Sequence, residues 1–433
     1  MQDYPRGRCV MEKVWKFLEI CTMVVVCILS LGVGMKSEAV TVGRVDGLKQ
    51  ISAGPNKVEI SWNAVIGNNI HYKAELCEKK DFTGGIMDNL GAENKGTDLP
   101  KEMFSGLTPG KKYYVRVTAF ADTGNPENPY FWGIPSGVLE VVTAPENAKV
   151  QNFRQTRATE TSITVSWKKC AAANAYQLIY GKKGGDINSR KTVLLEKVSS
   201  FTAKKLAKNT EYDFWLRPIK KSVSNFLALS SYSTNIQSCP VLPSKIKGVA
   251  ASFWSPTSEH LDLEWKQSNS ADGYQYQIYA VDGKKPLLSG KKEGNGNSTY
   301  LLTSKLKSLR FLKLRVRGCV DITEGIKYGA WSDWVFFSRQ PDVETRNTKN
   351  GIKLTWDKVN GAGSYSVYIS SKRNAGYKKV KTTSKTAAIV KKCGKSNLIP
   401  GKQYYFMVVA NKKVGKRTFQ STRNYCFWIT YRK

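Results

Sequence analysis

Ile352-Lys353-Leu354-Thr355-Trp356 alternates apolar and polar residues and ends in tryptophan, and Tyr365 follows that tryptophan by nine positions. Alternation with period two reads as a strand with one buried face. The same pattern occurs three more times, at Val58-Ile60-Trp62, Ile163-Val165-Trp167 and Leu261-Leu263-Trp265, each followed by a tyrosine (Tyr72, Tyr176 and Tyr274). That spacing suits a short turn and a second strand. A period near 100 residues is too long for a solenoid and suits whole sandwich domains in tandem. The expected fold class is therefore all-β.

The 433 residues leave room for four such domains once the first 39 are set aside. Arg6, Arg8, Lys13 and Lys16 precede an apolar run from Ile20 to Val33, and Ser37-Glu38-Ala39 supplies small residues where signal peptidase cuts. Fourteen residues rise only about 21 Å as a helix, short of a roughly 30 Å hydrocarbon core. Residues 1–39 are thus expected to be a cleaved signal peptide rather than an anchor. Cys21 and Cys27 lie inside the apolar run, which argues against lipid attachment, and Ile429–Lys433 carries no hydrophobic tail. The mature protein is expected to be secreted, and either extracellular or held non-covalently at the cell surface.

Six cysteines remain (Cys77, Cys170, Cys239, Cys319, Cys393 and Cys426), scattered unequally over the repeats and without a CxxC pair. Export permits disulfides, but this scatter is not a disulfide framework. With only His71 and His260 available, no zinc site is expected. Neither histidine lies near a nucleophile pattern. Asp262 and Glu264 alternate with the apolar Leu261, Leu263 and Trp265, so they read as solvent-facing charges. No phosphate loop appears. The expectation is a non-enzymatic protein without cofactor or metal.

The back half of each repeat carries a second tyrosine. Leu107 precedes Tyr113, Leu206 precedes Tyr212 and Leu398 precedes Tyr404, always by six, while in the third repeat Leu312 stands where the tyrosine would be. A tryptophan on an early strand and a tyrosine corner near a late one resemble the fibronectin type III family, over essentially all of residues 40–433. The resemblance implies four tandem fibronectin type III-like, immunoglobulin-like β-sandwiches forming an extended rod. It also implies core tryptophans and tyrosine hydroxyls that tie a loop to its strand. Prolines place the boundaries, giving domains at 40–145, 146–240, 241–341 and 342–433, the last strongly basic. Their short proline-containing linkers limit swivelling.

The formal net charge is +34, and it is unevenly spread. Residues 40–145 hold 11 basic and 12 acidic side chains, residues 146–240 hold 16 and 6, residues 241–341 hold 15 and 9, and residues 342–433 hold 21 and 3. In the last domain the family pattern puts Lys372, Arg373, Lys378, Lys379 and Lys381 on the C–C′ hairpin and Lys412, Lys413, Lys416 and Arg417 around the F–G turn. Those strands share one sheet in the family, so the lysines are expected to converge on one broad anion-docking face. Wall polymers, acidic polysaccharides, membrane surfaces and extracellular nucleic acid all respond to such a field. Lone Tyr377 makes no base-stacking platform, so sequence-specific nucleic-acid recognition is not expected. A protein partner stays open.

Two aromatic features complete the reading. Trp331-Ser332-Asp333-Trp334 follows Arg315 and Arg317, which suggests an interleaved cation–π stack that stiffens the third domain, similar to the tryptophan-serine box of cytokine receptors but with Val335 in the final position. Asp122–Gly137 is expected to be an F–G loop, and its Tyr130, Phe131 and Trp132 could stack on a sugar or protein, or cover their own sandwich. The combined expectation is a secreted, bacterial, non-enzymatic adhesion or spacer protein whose basic end docks on an anionic wall polymer or acidic polysaccharide. Two alternatives stand beside it: a carbohydrate-binding accessory to a polysaccharide or wall hydrolase, and a purely mechanical spacer. Intact-mass measurement of secreted protein should give a chain beginning at Val40; a membrane-retained full-length chain would refute the leader assignment.

Overall fold

The computed structural model describes residues 41–433 apart from 91–95, 147–149, 232, 303–305 and 307–309. The leader 1–39 and the expected cleavage before Val40 lie outside the described residues. By internal contacts the chain divides into two compact units, residues up to Ala144 with Lys221–Ala228, and Pro145–Lys220 with Leu229–Lys433.

The four repeated tryptophans are buried, with 5, 5, 3 and 7% of the surface of Trp62, Trp167, Trp265 and Trp356 exposed. Each meets the tyrosine that follows it. Ring centroids are 5.3 Å apart for Trp62–Tyr72, 5.2 Å for Trp167–Tyr176, 5.0 Å for Trp265–Tyr274 and 5.4 Å for Trp356–Tyr365, at steep interplanar angles. Three of the four are edge contacts and Trp265–Tyr274 is tilted at 48°; aromatic pairs of this kind add roughly 0.5–1.5 kcal/mol beyond simple burial. Every one of these tyrosines also accepts a backbone N–H through its hydroxyl, from Val65, Cys170, Ser268 and Val359 at 2.8–2.9 Å. The loop between tryptophan and tyrosine, which carries the chain from one sheet to the other, is therefore tied to the core at both ends.

Around each pair the strands take one plan. In the last repeat a three-stranded sheet runs Val343–Thr348, Gly351–Trp356, Ala387–Val390, and a five-stranded sheet runs Lys378–Thr383, Ser364–Ser370, Gln403–Val414, Arg417–Gln420, with Phe427–Thr430 also on the long strand. Neighbouring strands within these sheets pair antiparallel. The other three repeats match it, each with one three-stranded and one five-stranded sheet closed over its own apolar cluster. The fold is thus four tandem fibronectin type III-like β-sandwiches. The tyrosine corners form as expected: the hydroxyls of Tyr113, Tyr212 and Tyr404 accept from the N–H groups of Thr108, Ala207 and Ile399 at 2.8–3.0 Å. Leu312 fills the third position as a buried apolar residue.

A repeated serine, not visible as a motif, splits the final strand in two. Ser136, Ser332 and Ser421 are buried; each accepts a long-strand N–H through its hydroxyl (Val117, Val316, Ala410) and returns its own N–H to the same residue's carbonyl. In the second repeat the partner is Pro218, which has no N–H to give, and Ser230 keeps only the bond to the Pro218 carbonyl among these two. The side chain replaces a ladder bond, so the strand can break without orphaning a buried donor.

Within the second unit, the sandwiches are joined by specific contacts. The Asn209 side-chain oxygen accepts from the Ser244 N–H at 2.9 Å and the Ser268 hydroxyl at 3.1 Å, linking the second sandwich to the loop held by Tyr274. Between the third and fourth, the Gln340 amide exchanges two bonds with the Tyr425 backbone, at 2.6 and 3.0 Å. Phe336 packs on Phe419 with centroids 4.3 Å apart, and Lys412 pairs with Asp282 at 2.8 Å. Val281 and Phe311 of the third sandwich enter the buried cluster of the fourth.

All six cysteines are free. Burial pushes the Cys239 thiol up to about 12, so at neutral pH it stays protonated and unreactive.

Three outcomes follow from this packing. Thiol titration of the denatured chain starting at Val40 should count six, and Cys239 should stay unlabelled in the folded protein; two or fewer thiols would overturn the assignment. Tyr113→Phe, Tyr212→Phe and Tyr404→Phe should each lower unfolding free energy by about 1 kcal/mol in urea. The Lys412 ammonium holds the Asp282 carboxyl below its usual range. That contribution is present above the unfolded aspartate value near pH 4 and is lost as pH falls through the depressed folded value. Asp282→Asn should therefore flatten the acid limb of the third and fourth sandwiches' stability curve, as followed by thermal unfolding.

Candidate anion-binding site

The strand Lys378–Thr383 is an edge of the fourth sandwich's five-stranded sheet. Val380 turns inward onto the core, which leaves Lys379 and Lys381 pointing out on either side of it. Two residues of strand separate them by about 6.7 Å. Facing this edge is Ala387–Val390 of the other sheet, where Ala388 and Val390 are buried. Lys391 and Lys392 follow, leading into a two-residue turn begun by Gly394 at φ 63°, a left-handed backbone that glycine takes without a Cβ clash. The result is an open groove of about 590 Å³ lined by Lys378, Lys379, Lys381, Lys391 and Lys392, with Ile389 among them and no carboxylate in its lining.

No ion pair to these five lysines occurs among the described residues. The three carboxylates of residues 342–433 are Asp342, Glu344 and Asp357. Asp342 caps its neighbour Val343, and Glu344 accepts from the Thr355 hydroxyl at 3.5 Å. Two unit charges about 7 Å apart in water repel by roughly 0.6 kcal/mol, so five together hold a standing repulsion that a bound anion relieves. Lys372 and Arg373 are exposed in the adjacent connection, where the Arg373 carbonyl accepts from the Tyr377 hydroxyl at 2.6 Å.

The expected single face does not form. Ser370 pairs with Tyr405 while Ser364 pairs with Asn411, so the 371–377 connection and the turn at Gly415 leave opposite ends of the sheet. Nine residues of strand, from Tyr405 to Val414, separate them, roughly 30 Å, and the hairpins also occupy opposite edges. Successive hairpin turns in an antiparallel sheet alternate between its ends, so sharing a sheet does not mean sharing a surface. Lys412 is moreover committed to Asp282, and Arg417 lies over the rings of Phe336 and Phe419, at 5.5 and 5.7 Å. Both help join the third and fourth sandwiches. Lys413 and Lys416 are exposed beside them. In place of these, the fold supplies Lys391 and Lys392, whose sequence signal is a doubled lysine ending the apolar run Ala387–Val390.

The aromatic stretch of the first sandwich also differs from expectation. Tyr130–Trp132 is a strand, not part of a loop, with Tyr130, Phe131 and Trp132 paired to Asp122, Ala121 and Phe120. The turn shrinks to 123–129 because the Thr123 N–H and hydroxyl close it onto the carbonyls of Pro129 and Asn128. Trp132 and Tyr130 pack on the fully buried Phe120, at 4.4 and 5.1 Å, while Phe131 points to the other face. The three rings make no common surface, and two of them cover their own sandwich.

The cation–π stack of the third sandwich is present. Arg315 lies 4.3 Å from Trp331 and 4.8 Å from Trp334, and Arg317 lies 4.3 Å from Trp331 and 4.0 Å from Tyr328. Gln277 and Gln275 accept from the two guanidinium groups at 2.6–3.0 Å, which fixes them as structure. Among the described residues no helix is long and apolar enough to cross a membrane.

A family model for the fibronectin type III domain matches residues 148–228. The receptor-type tyrosine-protein phosphatase S of Gallus gallus is 25% identical over 251 residues, which make up 57% of this chain and only 15% of that protein. The crystal structure of chicken CNTN1 FN1-FN3 domains aligns at 15% identity over 69% of this chain and 99% of that one, with a TM-score of 0.25. The family model thus covers the second sandwich, and the strand plan of that sandwich recurs in the other three.

Proposed function

We propose that this is a secreted, non-enzymatic adhesion or spacer protein that docks through its fourth sandwich onto an anionic wall polymer or acidic polysaccharide. The observation that carries the reading is the Lys378–Lys392 groove: five exposed lysines, drawn from edges of two sheets, with no carboxylate in the lining. Solubility alone is served by a net charge of a few units with both signs interspersed; 21 basic against 3 acidic residues in this sandwich is a different pattern. The matched stretch of the phosphatase relative covers a small part of that protein, so its enzymatic activity lends nothing to this reading. The first sandwich, with 11 basic and 12 acidic residues, is near neutral.

Retention on immobilised heparin and on a poly(glycerol phosphate) wall polymer tests the proposal. Binding should weaken steeply from low to physiological salt, since each neutralised anion releases counterions and adds about 0.7–0.9 to the log–log slope. Replacing Lys378, Lys379, Lys381, Lys391 and Lys392 by glutamine should abolish retention and leave folding intact, because all five side chains are exposed. Replacing Lys413 and Lys416 instead should change little. A groove variant that stays bound as tightly as the parent at physiological salt means the lysines only keep the chain soluble.

A further inference from the structure

The three-stranded sheet of the third sandwich, Ala250–Phe253, His260–Glu264 and Ser298–Leu302, turns one face to the core and the other to solvent. Register fixes what the outer face carries. Ser252, Asp262 and Tyr300 form one row, and Glu264 lies between Ala250 and Ser298 in the next. At the near end the Trp254 N–H bonds to the His260 carbonyl at 3.3 Å, which puts Trp254, His260 and Leu302 in a third row. Trp254, Tyr300 and Leu302 are 57, 65 and 65% exposed.

These rings are held in place. Trp254 stacks on His260 with centroids 4.2 Å apart and planes 19° apart, and His260 lies 6.4 Å from Tyr300 at 28°. The indole N–H donates to the Asp262 carboxylate. From the fourth sandwich, the Tyr425 hydroxyl lies against the carbonyls of Phe253 and Trp254, which share its one proton. Large side chains already immobilised lose little entropy on binding.

The fold does not require them. The equivalent outward positions are Glu59 and Met103 in the first sandwich, Thr164 and Thr202 in the second, and Lys353 and Ile389 in the fourth, none of them aromatic. All four sandwiches close over their cores regardless.

We infer that this face binds a neutral polysaccharide, with the C–H faces of sugar rings on Trp254 and Tyr300 and ring hydroxyls donating to Asp262 and Glu264. Charge decides the class. No ion pair to Asp262 or Glu264 occurs among the described residues, so Glu264 and the Asp262 oxygen not held by the Trp254 indole are open to hydroxyl donors, and charge-assisted bonds of this kind are the stronger ones. The same carboxylates repel a polyanion, nucleic acid included, since like charges brought together oppose binding. Size separates a glycan from a protein. Three strands by four or five residues measure about 10 by 14 Å, well below the roughly 800 Å² per partner of a stable protein interface. A short run of sugar rings fits that area.

The inference is independent of the lysine groove, and salt separates the two. The chain from Val40 to Lys433 would be run by affinity electrophoresis and pull-down against cellulose, xylan, mannan and a (1→3)-β-glucan. Salt is held at about 0.5 M, where the Debye length is roughly 4 Å and the groove is screened. At least one of the four should retain the protein, and the groove variant should bind as the parent does. Tyr300→Ala and Trp254→Ala should each weaken retention about tenfold, equivalent to about 1.4 kcal/mol. Among the described residues the Tyr300 side chain makes no hydrogen bond, so its variant reads binding even if Trp254→Ala disturbs the sheet. No retention on any of the four, or a Tyr300→Ala protein that binds like the parent, overturns the inference, as does a face that instead captures only a protein partner.

Discussion

Each sandwich is organised around one contact, a buried indole against the ring of the tyrosine that follows it. The contact has a cost: among the described residues the buried N–H groups of Trp62, Trp167, Trp265 and Trp356 find no hydrogen bond of ordinary geometry, and an unmet buried donor costs about 1–3 kcal/mol. Burying a large aromatic surface returns a comparable amount, and the edge contact adds to it. What tips the balance is the tyrosine hydroxyl. By taking the N–H of Val65, Cys170, Ser268 or Val359, it turns a hydrophobic contact into a fixed loop geometry. The crossing between sheets is set by that loop, and strand order follows from it.

The buried serine of the final strand depends on this frame. Once the long strand is held in the core, its partner can stop at Ser136, Ser332 or Ser421 and restart with its bonds accounted for. In the third sandwich the segment beside Ser332 carries Trp331 and Trp334, which Arg315 and Arg317 interleave. In the fourth, the stretch after Ser421 carries the contacts that meet the third sandwich, with Thr422 bonded to the Ser338 carbonyl and Tyr425 to Gln340. An interruption that would weaken a plain ladder is used here to place side chains outside it.

Charge is laid over this scaffold at positions the core does not constrain. The lysine groove lies where edges of two sheets come together, and the aromatic face of the third sandwich lies on outward positions of a central and an edge strand. Their signs are opposed: five lysines with no carboxylate in the groove, two carboxylates beside the rings. Opposed signs would let the two proposed surfaces work on one chain without competing for a ligand.

Alternation, the tryptophan-to-tyrosine offset and the leucine-to-tyrosine offset determined the all-β class, the fourfold repeat, the core tryptophans and the tyrosine corners. They could do so because burial and period-two geometry act over a few residues and leave a direct trace in order along the chain. The stack of Arg315 and Arg317 with Trp331 and Trp334 was legible for the same reason, since facing strands of one hairpin are close in sequence. The candidate site was legible only in part. Lys378, Lys379 and Lys381 were visible as a cluster, but Lys391 and Lys392 joined them through the meeting of two sheets, while Lys412 and Arg417 were drawn away to Asp282, Phe336 and Phe419. The stretch Tyr130–Trp132 became a strand because the Thr123 bonds closed its turn. Trp254, His260 and Tyr300 met only through register across three strands. Which end of a sheet a turn occupies, and which edge lies opposite it, are set by pairing between segments distant in sequence, and only the tertiary structure decided them.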